Sequence, residues 1–187
     1  SRLMPGAKNH TIGLVGFGGI GTEVAKRAVP FGMKVIYFCR HPNPADDAAY
    51  GVQSVSMEEL LKESDYVVAA VPLTDQTFHL FNEERIAQMK AGSVLINIAR
   101  GPVVDEEALA QALASGHLGG CAVDVFPKEP CTNSVLTRYA NALLTPHSAT
   151  STAENSKATN FAAANNLVNY LKKDIDAKYV VVQGTRY

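Results

Sequence analysis

The sequence predicts an α/β fold, a doubly wound and mostly parallel sheet with helices on both faces. Short apolar segments alternate with segments of helical periodicity along the whole chain, which is the order that produces a parallel sheet. The apolar segments are apolar throughout rather than at every second position, as in strands buried on both faces. With 187 residues, the chain is predicted to form a single domain.

The predicted elements follow one another in a regular order. The first strand leads through a glycine-rich turn into a helix that Pro30 ends. After the second strand, Pro42 and Pro44 predict an irregular connection. Strands are predicted at 11–15, 34–38, 52–55, 66–71, 93–98, 121–125 and 142–145. Helices are predicted at 19–29, from 56 through 61, after Asn82, after Asp105, and from 151 to about 173.

Polar residues mark where these helices begin. Ser56 and Ser151 each stand three residues before a glutamate, which is the spacing of a capping box. Asn82 and Asp105 are predicted N-caps, because their side chains can accept hydrogen bonds from the first free N–H groups of a helix.

Composition excludes several classes of protein. Hydrophobic residues make up 47% and charged residues 19%, so the chain has enough apolar surface to form a core. The net charge of -1 offers no basic field for a nucleic acid or an anionic membrane. No apolar run approaches the roughly 18 residues of a membrane span, and the first ten residues lack the pattern of a signal peptide. We therefore expect a cytoplasmic protein with reduced cysteines, no metal, no nucleic-acid partner and no membrane.

The glycine-rich turn has the spacing of a dinucleotide-binding fingerprint. Gly16, Gly18 and Gly21 follow the first strand directly and open the first helix. In a Rossmann-type domain such glycines permit a tight turn, a close approach to a pyrophosphate, and close packing of helix on strand. A purely structural glycine-rich turn is the alternative.

The end of the second strand bears on the choice of cofactor. An acidic residue usually stands there and binds the adenosine ribose, but this sequence has Cys39 followed by Arg40. A cation without a competing carboxylate suits a 2′-phosphate, so the sequence favours NADP. The alternative is that Arg40 stacks on adenine and that NAD binds.

Further polar residues follow later strands, where an open α/β sheet presents its ligand crevice. Arg100 can bind a carboxylate in bidentate fashion, or it can pair structurally with Asp105. Glu129 beside His147 would favour the imidazolium and produce a proton donor, unless Glu129 is simply exposed. An acid, a carboxylate-binding cation and a nicotinamide site are the parts needed to reduce a 2-oxo acid.

Several motifs together resemble the nucleotide-binding domain of the D-isomer-specific 2-hydroxyacid dehydrogenases. The similarity extends from about residue 11 to residue 171, and the later motifs are more specific than the glycine turn. The motifs are GFGGIG at 16–21, VPLT at 71–74 with Thr77, NIARGPVVD at 97–105, DVFPKEP at 124–130, and TPH at 145–147 with Thr152.

The resemblance implies roles for individual residues. Arg100 would bind the substrate carboxylate and carbonyl, His147 would act as acid and base, and Glu129 would hold that histidine protonated. Asp124 would bind the nicotinamide carboxamide. Backbone contacts to the cofactor are expected from Gly16, Gly18, Gly19, Ile20 and Gly21, and further cofactor contacts from Arg40, Val71, Pro72, Thr77, Ala99 and Ala149. Ser148, where the family often has an aliphatic residue, would alter the nicotinamide pocket.

The resemblance also implies partners. Family members carry a substrate domain before this segment, so we expect either an excised domain or a naturally short form that turns over substrate slowly or not at all. The substrate is a small 2-oxo or 2-hydroxy acid, with glyoxylate, hydroxypyruvate and phosphohydroxypyruvate-like acids all open. A homodimer is expected, with helix residues 108–114 as one source of apolar surface. The alternatives are a regulatory or corepressor-like dinucleotide-binding protein and a methyl-donor or nucleoside-binding protein.

Overall fold

The computed structural model describes residues 7–176. The described residues form two compact units, which divide between His147 and Ser148. The first unit contains a single sheet of seven strands, all paired in parallel, in the order β3-β2-β1-β4-β5-β6-β7. The strands are β1 Thr11–Val15, β2 Lys34–Phe38, β3 Gln53–Ser54, β4 Tyr66–Ala69, β5 Val94–Asn97, β6 Gly120–Val123 and β7 Ala142–Leu144. The predicted α/β class is confirmed.

Helices cover both faces of this sheet. One core lies under α1 and includes Leu14 and Tyr37. The larger core lies under α3, α4 and α5 and includes Leu60, Ile86 and Leu109. The helices of the first unit are α1 Gly19–Ala28, α2 Pro44–Tyr50, α3 Met57–Glu63, α4 Glu83–Ala87 and α5 Glu106–Ala114.

The predicted N-caps of α3, α4 and α5 are confirmed. Ser56 Oγ accepts a hydrogen bond from the Glu59 N–H at 3.1 Å. Asn82 Oδ1 accepts from the Arg85 N–H at 3.0 Å. Asp105 Oδ1 accepts from two N–H groups of α5 at 3.1 and 3.2 Å. These bonds satisfy backbone donors that a helix start leaves free, and they fix where each helix leaves the crevice edge of the sheet.

The predicted irregular connection after β2 is wrong, because α2 forms there. Pro44 occupies the first helical position, where its missing N–H costs nothing, and Asn43 Oδ1 accepts from the Ala45 N–H at 3.1 Å. The buried Tyr37 of β2 donates its hydroxyl to Asp47 of α2 at 2.8 Å. Pro44 therefore begins a helix instead of preventing one.

The expectation that residues 108–114 supply apolar surface for a dimer is also wrong. Five side chains of α5 are buried within the first unit, among them Leu109 at 1% and Leu113 at 6% exposure. The alanine and leucine content of this helix reflects its packing on the sheet.

The second unit contains α6, Ala153–Leu171. The predicted capping box at Ser151 is displaced by one residue, since Thr152 is the N-cap and its Oγ1 accepts from the Asn155 N–H at 3.1 Å. Within the described part of the chain, no helix combines the length and apolar character needed to cross a membrane.

Candidate active site

The candidate site begins where the strand order of the sheet reverses. From β1 the chain continues to β2 on one side, whereas from its neighbour β4 it continues to β5 on the other. Such a reversal leaves a crevice beyond the carboxyl ends of the strands. β4 ends at Ala69, so Ala70 and Val71, expected as the last part of a strand, instead form one wall of this crevice together with Pro72.

The glycine turn at this crevice divides into two packed and two open positions. Gly16 has φ +102°, and a Cβ there would lie 2.4 Å from the Ala70 carbonyl oxygen. A Cβ on Gly21 would lie 2.4 Å from the Gly16 carbonyl oxygen, so α1 packs directly on the turn. Gly18 and Gly19 have no atom within 4 Å of their Cβ positions. The backbone N–H groups at the start of the ten-residue α1 therefore face open space that can accept an anion.

The first cavity of the candidate site, which we call the Arg40 groove, has a volume of about 510 Å³. Thr77 stabilises its wall, because its hydroxyl donates to the Pro72 carbonyl at 2.6 Å and accepts from the Thr74 N–H at 2.8 Å. Among residues 7–176 no carboxylate lines this groove. Six predicted residues line it: Gly16, Gly18, Arg40, Val71, Pro72 and Thr77.

The second cavity, the Arg100 groove, adjoins the first because both share the wall at residues 70–72. Its volume is about 440 Å³, and Ile20, Ala99 and Arg100 line its other side. Arg100 Nη1 donates to the Ala99 carbonyl at 2.7 Å, and the buried Asn97 amide donates to the Arg100 carbonyl at 3.0 Å. These bonds fix the turn that carries the guanidinium.

The structure does not contain the alternative ion pair between Arg100 and Asp105. The Asp105 carboxylate caps α5 and has His79 as its ion-pair neighbour at 3.6 Å. Gly101 instead packs so closely on the loop after β6 that a Cβ would lie 2.0 Å from the Phe126 carbonyl carbon. This contact holds the Arg100 turn against the loop that carries Glu129.

Glu129 and His147 form a direct side-chain contact in the site. His147 Nδ1 lies 2.7 Å from Glu129 Oε2, so the predicted contact between these side chains is present. Glu129 Oε1 accepts the Phe126 N–H at 2.9 Å. The hydrogen bond from His147 and then that from Phe126 lower the pKa of Glu129 below its usual value, and the nearby Arg100 charge adds to this.

The backbone of His147 has φ +52°, a region that few residues other than glycine adopt. Its ring lines a third cavity of about 280 Å³, the His147 pocket, together with Phe126, Pro130 and Cys131. Because Nδ1 faces Glu129, Nε2 is the ring nitrogen that can meet a ligand.

Asp124 directly follows the last residue of β6. It is only 8% exposed, and its Oδ1 accepts the Thr145 hydroxyl at 2.5 Å. Asp124 lines neither groove, and Ala149 belongs to the second unit, so both remain predicted cofactor contacts.

Sequence reasoning missed several residues of the Arg40 groove. Met57 and Leu80 supply apolar walls, and Arg85 of α4 supplies a second cation. Arg85 stands in a short helix among glutamates, where its sequence context indicates only an exposed helix charge, so no local signal identifies it.

The adjoining grooves form one crevice that extends from Arg40 to Arg100. Its centre offers free backbone donors at a helix start, its walls are apolar, and each end carries a cation. These features suit an elongated ligand with a central pyrophosphate and two ring systems, so the residues present fit a dinucleotide.

Comparisons with known proteins agree with this geometry. The family model described as D-isomer specific 2-hydroxyacid dehydrogenase, NAD binding domain, matches residues 2–149. A glyoxylate reductase of Thermococcus litoralis is 42% identical over 175 residues, which are 94% of this chain and 53% of that protein. A glyoxylate reductase of Pyrococcus furiosus is 43% identical over 165 residues, 88% of this chain and 49% of that protein. The chain thus spans about half the length of these relatives.

Solved structures show the same fold. A glyoxylate reductase from Paecilomyes thermophila has a TM-score of 0.87 and 38% identity, covering 92% of this chain and 52% of that one. A D-lactate dehydrogenase from Aquifex aeolicus, complexed with NAD and lactic acid, has a TM-score of 0.84 and 33% identity, covering 92% of this chain and 56% of that one.

Proposed function

Since the chain belongs to the D-isomer specific 2-hydroxyacid dehydrogenase family, we propose that it is the nucleotide-binding part of an NAD(P)-dependent oxidoreductase. The reaction interconverts a small 2-oxo acid and its D-2-hydroxy acid. The observation that carries this proposal is the 2.7 Å contact between Glu129 and His147, beside the Arg100 turn. A purely regulatory dinucleotide-binding protein has no evident use for such an acid–base pair.

Each of these side chains has a part in the proposed reaction. The Arg100 guanidinium binds the substrate carboxylate and turns the 2-oxo group towards the cofactor. His147 Nε2 donates a proton to the carbonyl oxygen during reduction and removes it during oxidation. Glu129 holds the ring through Nδ1 and stabilises the charge that the ring carries before it gives up its proton.

A nicotinamide dinucleotide, when bound, supplies or accepts the hydride at the substrate carbon. The open N–H groups at Gly18 and Gly19 would hold its pyrophosphate, and Asp124 would bind its carboxamide. Arg40 would bind a 2′-phosphate, because no carboxylate competes in the Arg40 groove among the described residues. We therefore propose a preference for NADP.

The substrate and the assembly are proposed from the family. Glyoxylate reductases among the relatives make glyoxylate the first 2-oxo acid to test, followed by hydroxypyruvate. A homodimer is proposed from the family, although α5 does not offer the surface expected for it.

Calorimetry of the 187-residue chain with NADPH and with NADH tests the cofactor assignment. We expect tighter binding of NADPH, a loss of about tenfold in that affinity for Arg40→Ala, and a shift towards NADH for Cys39→Asp. Arg138→Ala, an exposed arginine outside both grooves, is the matched control and should change neither affinity. Equal affinities in the original chain, unchanged by Arg40→Ala, would remove the NADP assignment. No measurable binding of either cofactor would remove the proposed function itself.

A further inference from the structure

Arg85 is a second cation of the Arg40 groove to which the proposed function assigns no task. It lies in the middle of α4, on the wall that also includes Leu80. Its backbone N–H is bound to the Asn82 side chain, and its Nη1 donates to the Leu80 carbonyl at 2.8 Å. The second bond holds the guanidinium at the groove wall, because Leu80 lines the same groove.

The charge of Arg85 has no carboxylate partner among residues 7–176. Arg40 has none in the same part of the chain either. Four cations of the first unit do form such pairs, namely Lys26 and Arg27 with Glu23, Lys62 with Glu58, and Lys90 with Asp65, whereas Lys34, Lys128 and Arg138 do not. An arginine that lines a groove free of carboxylates keeps most of its donors and its full charge available to an anionic ligand.

The shape of the groove indicates where such an anion would lie. Gly18 marks the pyrophosphate position, and apolar contacts from Met57, Val71 and Leu80 suit an adenine ring. A second phosphate on the adenosine would lie in the same groove, whose lining includes both Arg40 and Arg85.

We propose that Arg85 and Arg40 together form a two-cation site for the 2′-phosphate of NADP, so that Arg85 determines cofactor specificity. The inference rests on the proposed function, because it deepens the NADP assignment. Two guanidinium groups supply several charge-assisted hydrogen bonds to one phosphate, whereas a free 2′-hydroxyl offers neither the charge nor the three acceptor oxygens.

The test uses two fragments of the cofactor, adenosine 2′,5′-bisphosphate and adenosine 5′-monophosphate, and measures their binding to the 187-residue chain by calorimetry. Arg85→Met removes the charge and keeps much of the side-chain length. We expect it to weaken binding of the bisphosphate about five- to tenfold, as for the loss of a charge-assisted hydrogen bond, and to change the monophosphate affinity less than twofold. Arg85→Lys should recover part of the loss, and Arg138→Met should change neither affinity.

Other outcomes separate this inference from the proposed function. If Arg85→Met weakens both ligands equally, Arg85 contacts adenine or merely positions Leu80, and the two-cation site is wrong while the NADP assignment stands. If Arg40→Met lowers the bisphosphate affinity and Arg85→Met does not, the two-cation site is also wrong and the NADP assignment stands. If the original chain does not distinguish the two ligands, the NADP assignment fails and the inference fails with it. A thermal unfolding curve for each variant identifies any loss of folded protein.

Discussion

The site has two ends: the Arg40 end, which is the Arg40 groove, and the His147 end, which comprises Arg100, Glu129 and His147. They hold their functional side chains in different ways. At the His147 end each acting group has a bonded partner: Glu129 accepts from both His147 and Phe126, and Arg100 donates to Ala99. At the Arg40 end, the exposed Arg40 has no carboxylate partner in the described chain, and Arg85, like Arg100, is bonded to a backbone carbonyl, that of Leu80.

The difference follows from what each end has to do. Proton transfer and substrate orientation depend on positions accurate to a fraction of an ångström, so their side chains need fixed partners. Recognition of a phosphate depends on charge, and a carboxylate partner for Arg40 would compete with the ligand. We therefore expect the His147 end to be sensitive to geometry and the Arg40 end to be sensitive to charge and salt.

The largest expected effect is at the His147 end. His147→Ala should lower the rate of glyoxylate reduction by the 187-residue chain about 10²- to 10⁴-fold, because it removes the proton donor. NADPH affinity should change less than twofold, since the ring lies outside both grooves. The measurement is NADPH oxidation at high protein concentration, with Arg138→Ala as control. A variant that retained the original rate would remove His147 from the reaction.

The His147 end was also the more predictable from sequence, because its chemistry requires particular residue types. A guanidinium after one strand, a carboxylate after another and a histidine after a third are visible as Arg100, Glu129 and His147 without any structure. The sequence predicted the contact between Glu129 and His147 but not its geometry, because the 2.7 Å distance depends on the Gly101–Phe126 contact and on the positive φ of His147.

The Arg40 end was only partly predictable. Arg40 follows a strand that carries the expected cofactor position, whereas Arg85 lies on a helix 45 positions later and is brought to the groove by tertiary packing alone. The fold was predictable for a related reason, since the apolar strands and the caps at Ser56 and Asp105 are local signals. The helix at Pro44 was missed because proline both ends and begins helices, and only the Asn43 cap decides between them.

The second prediction concerns the glycine turn, which lies between the two ends. Gly21→Ala should lower the free energy of unfolding by about 1–3 kcal/mol, because a methyl group at 2.4 Å from the Gly16 carbonyl forces α1 away from the turn. Urea denaturation measures this. Gly19→Ala is the matched variant, since its methyl group meets nothing within 4 Å and should leave the unfolding curve unchanged or slightly stabilised.

A third variant separates packing from binding. Gly18→Ala should weaken NADPH binding at least about tenfold, because Gly18 is the fingerprint glycine that lets the backbone approach the pyrophosphate, and a methyl group there would enter the open space at the start of α1. If Gly18→Ala bound NADPH normally, the pyrophosphate position would be wrong. If Gly21→Ala were as stable as the original chain, the close packing of α1 on the glycine turn at Gly21 would be wrong.

The third prediction sharpens the contrast in charge. Raising the ionic strength from about 20 to about 200 mM should weaken NADPH binding about three- to tenfold, because the charges of the exposed Arg40 and the half-buried Arg85 are screened. Arg40→Ala should respond less steeply than the original chain. An affinity independent of salt in both proteins would show that the Arg40 end does not act through charge.

The smallest expected effect is the titration of Glu129. Its pKa lies below the usual glutamate value, first because His147 donates a hydrogen bond to it and second because the Phe126 N–H does. Since the pKa of Glu129 is lowered in the folded protein, this carboxylate stabilises the fold fully at pH values above the pKa that Glu129 has in the unfolded chain. This stabilisation is lost only as the pH falls through the pKa of Glu129 in the folded protein, so the His147 contact should survive mild acidification.

Carboxyl NMR titration measures the pKa of Glu129 directly. His147→Ala should raise it but leave it below the usual value, because the Phe126 bond remains, and His41→Ala, in the Arg40 groove, should not move it. A Glu129 that titrated at the ordinary value in the original chain would mean that the two side chains are not held together in solution, and the two ends of the crevice would then not differ as the structure indicates.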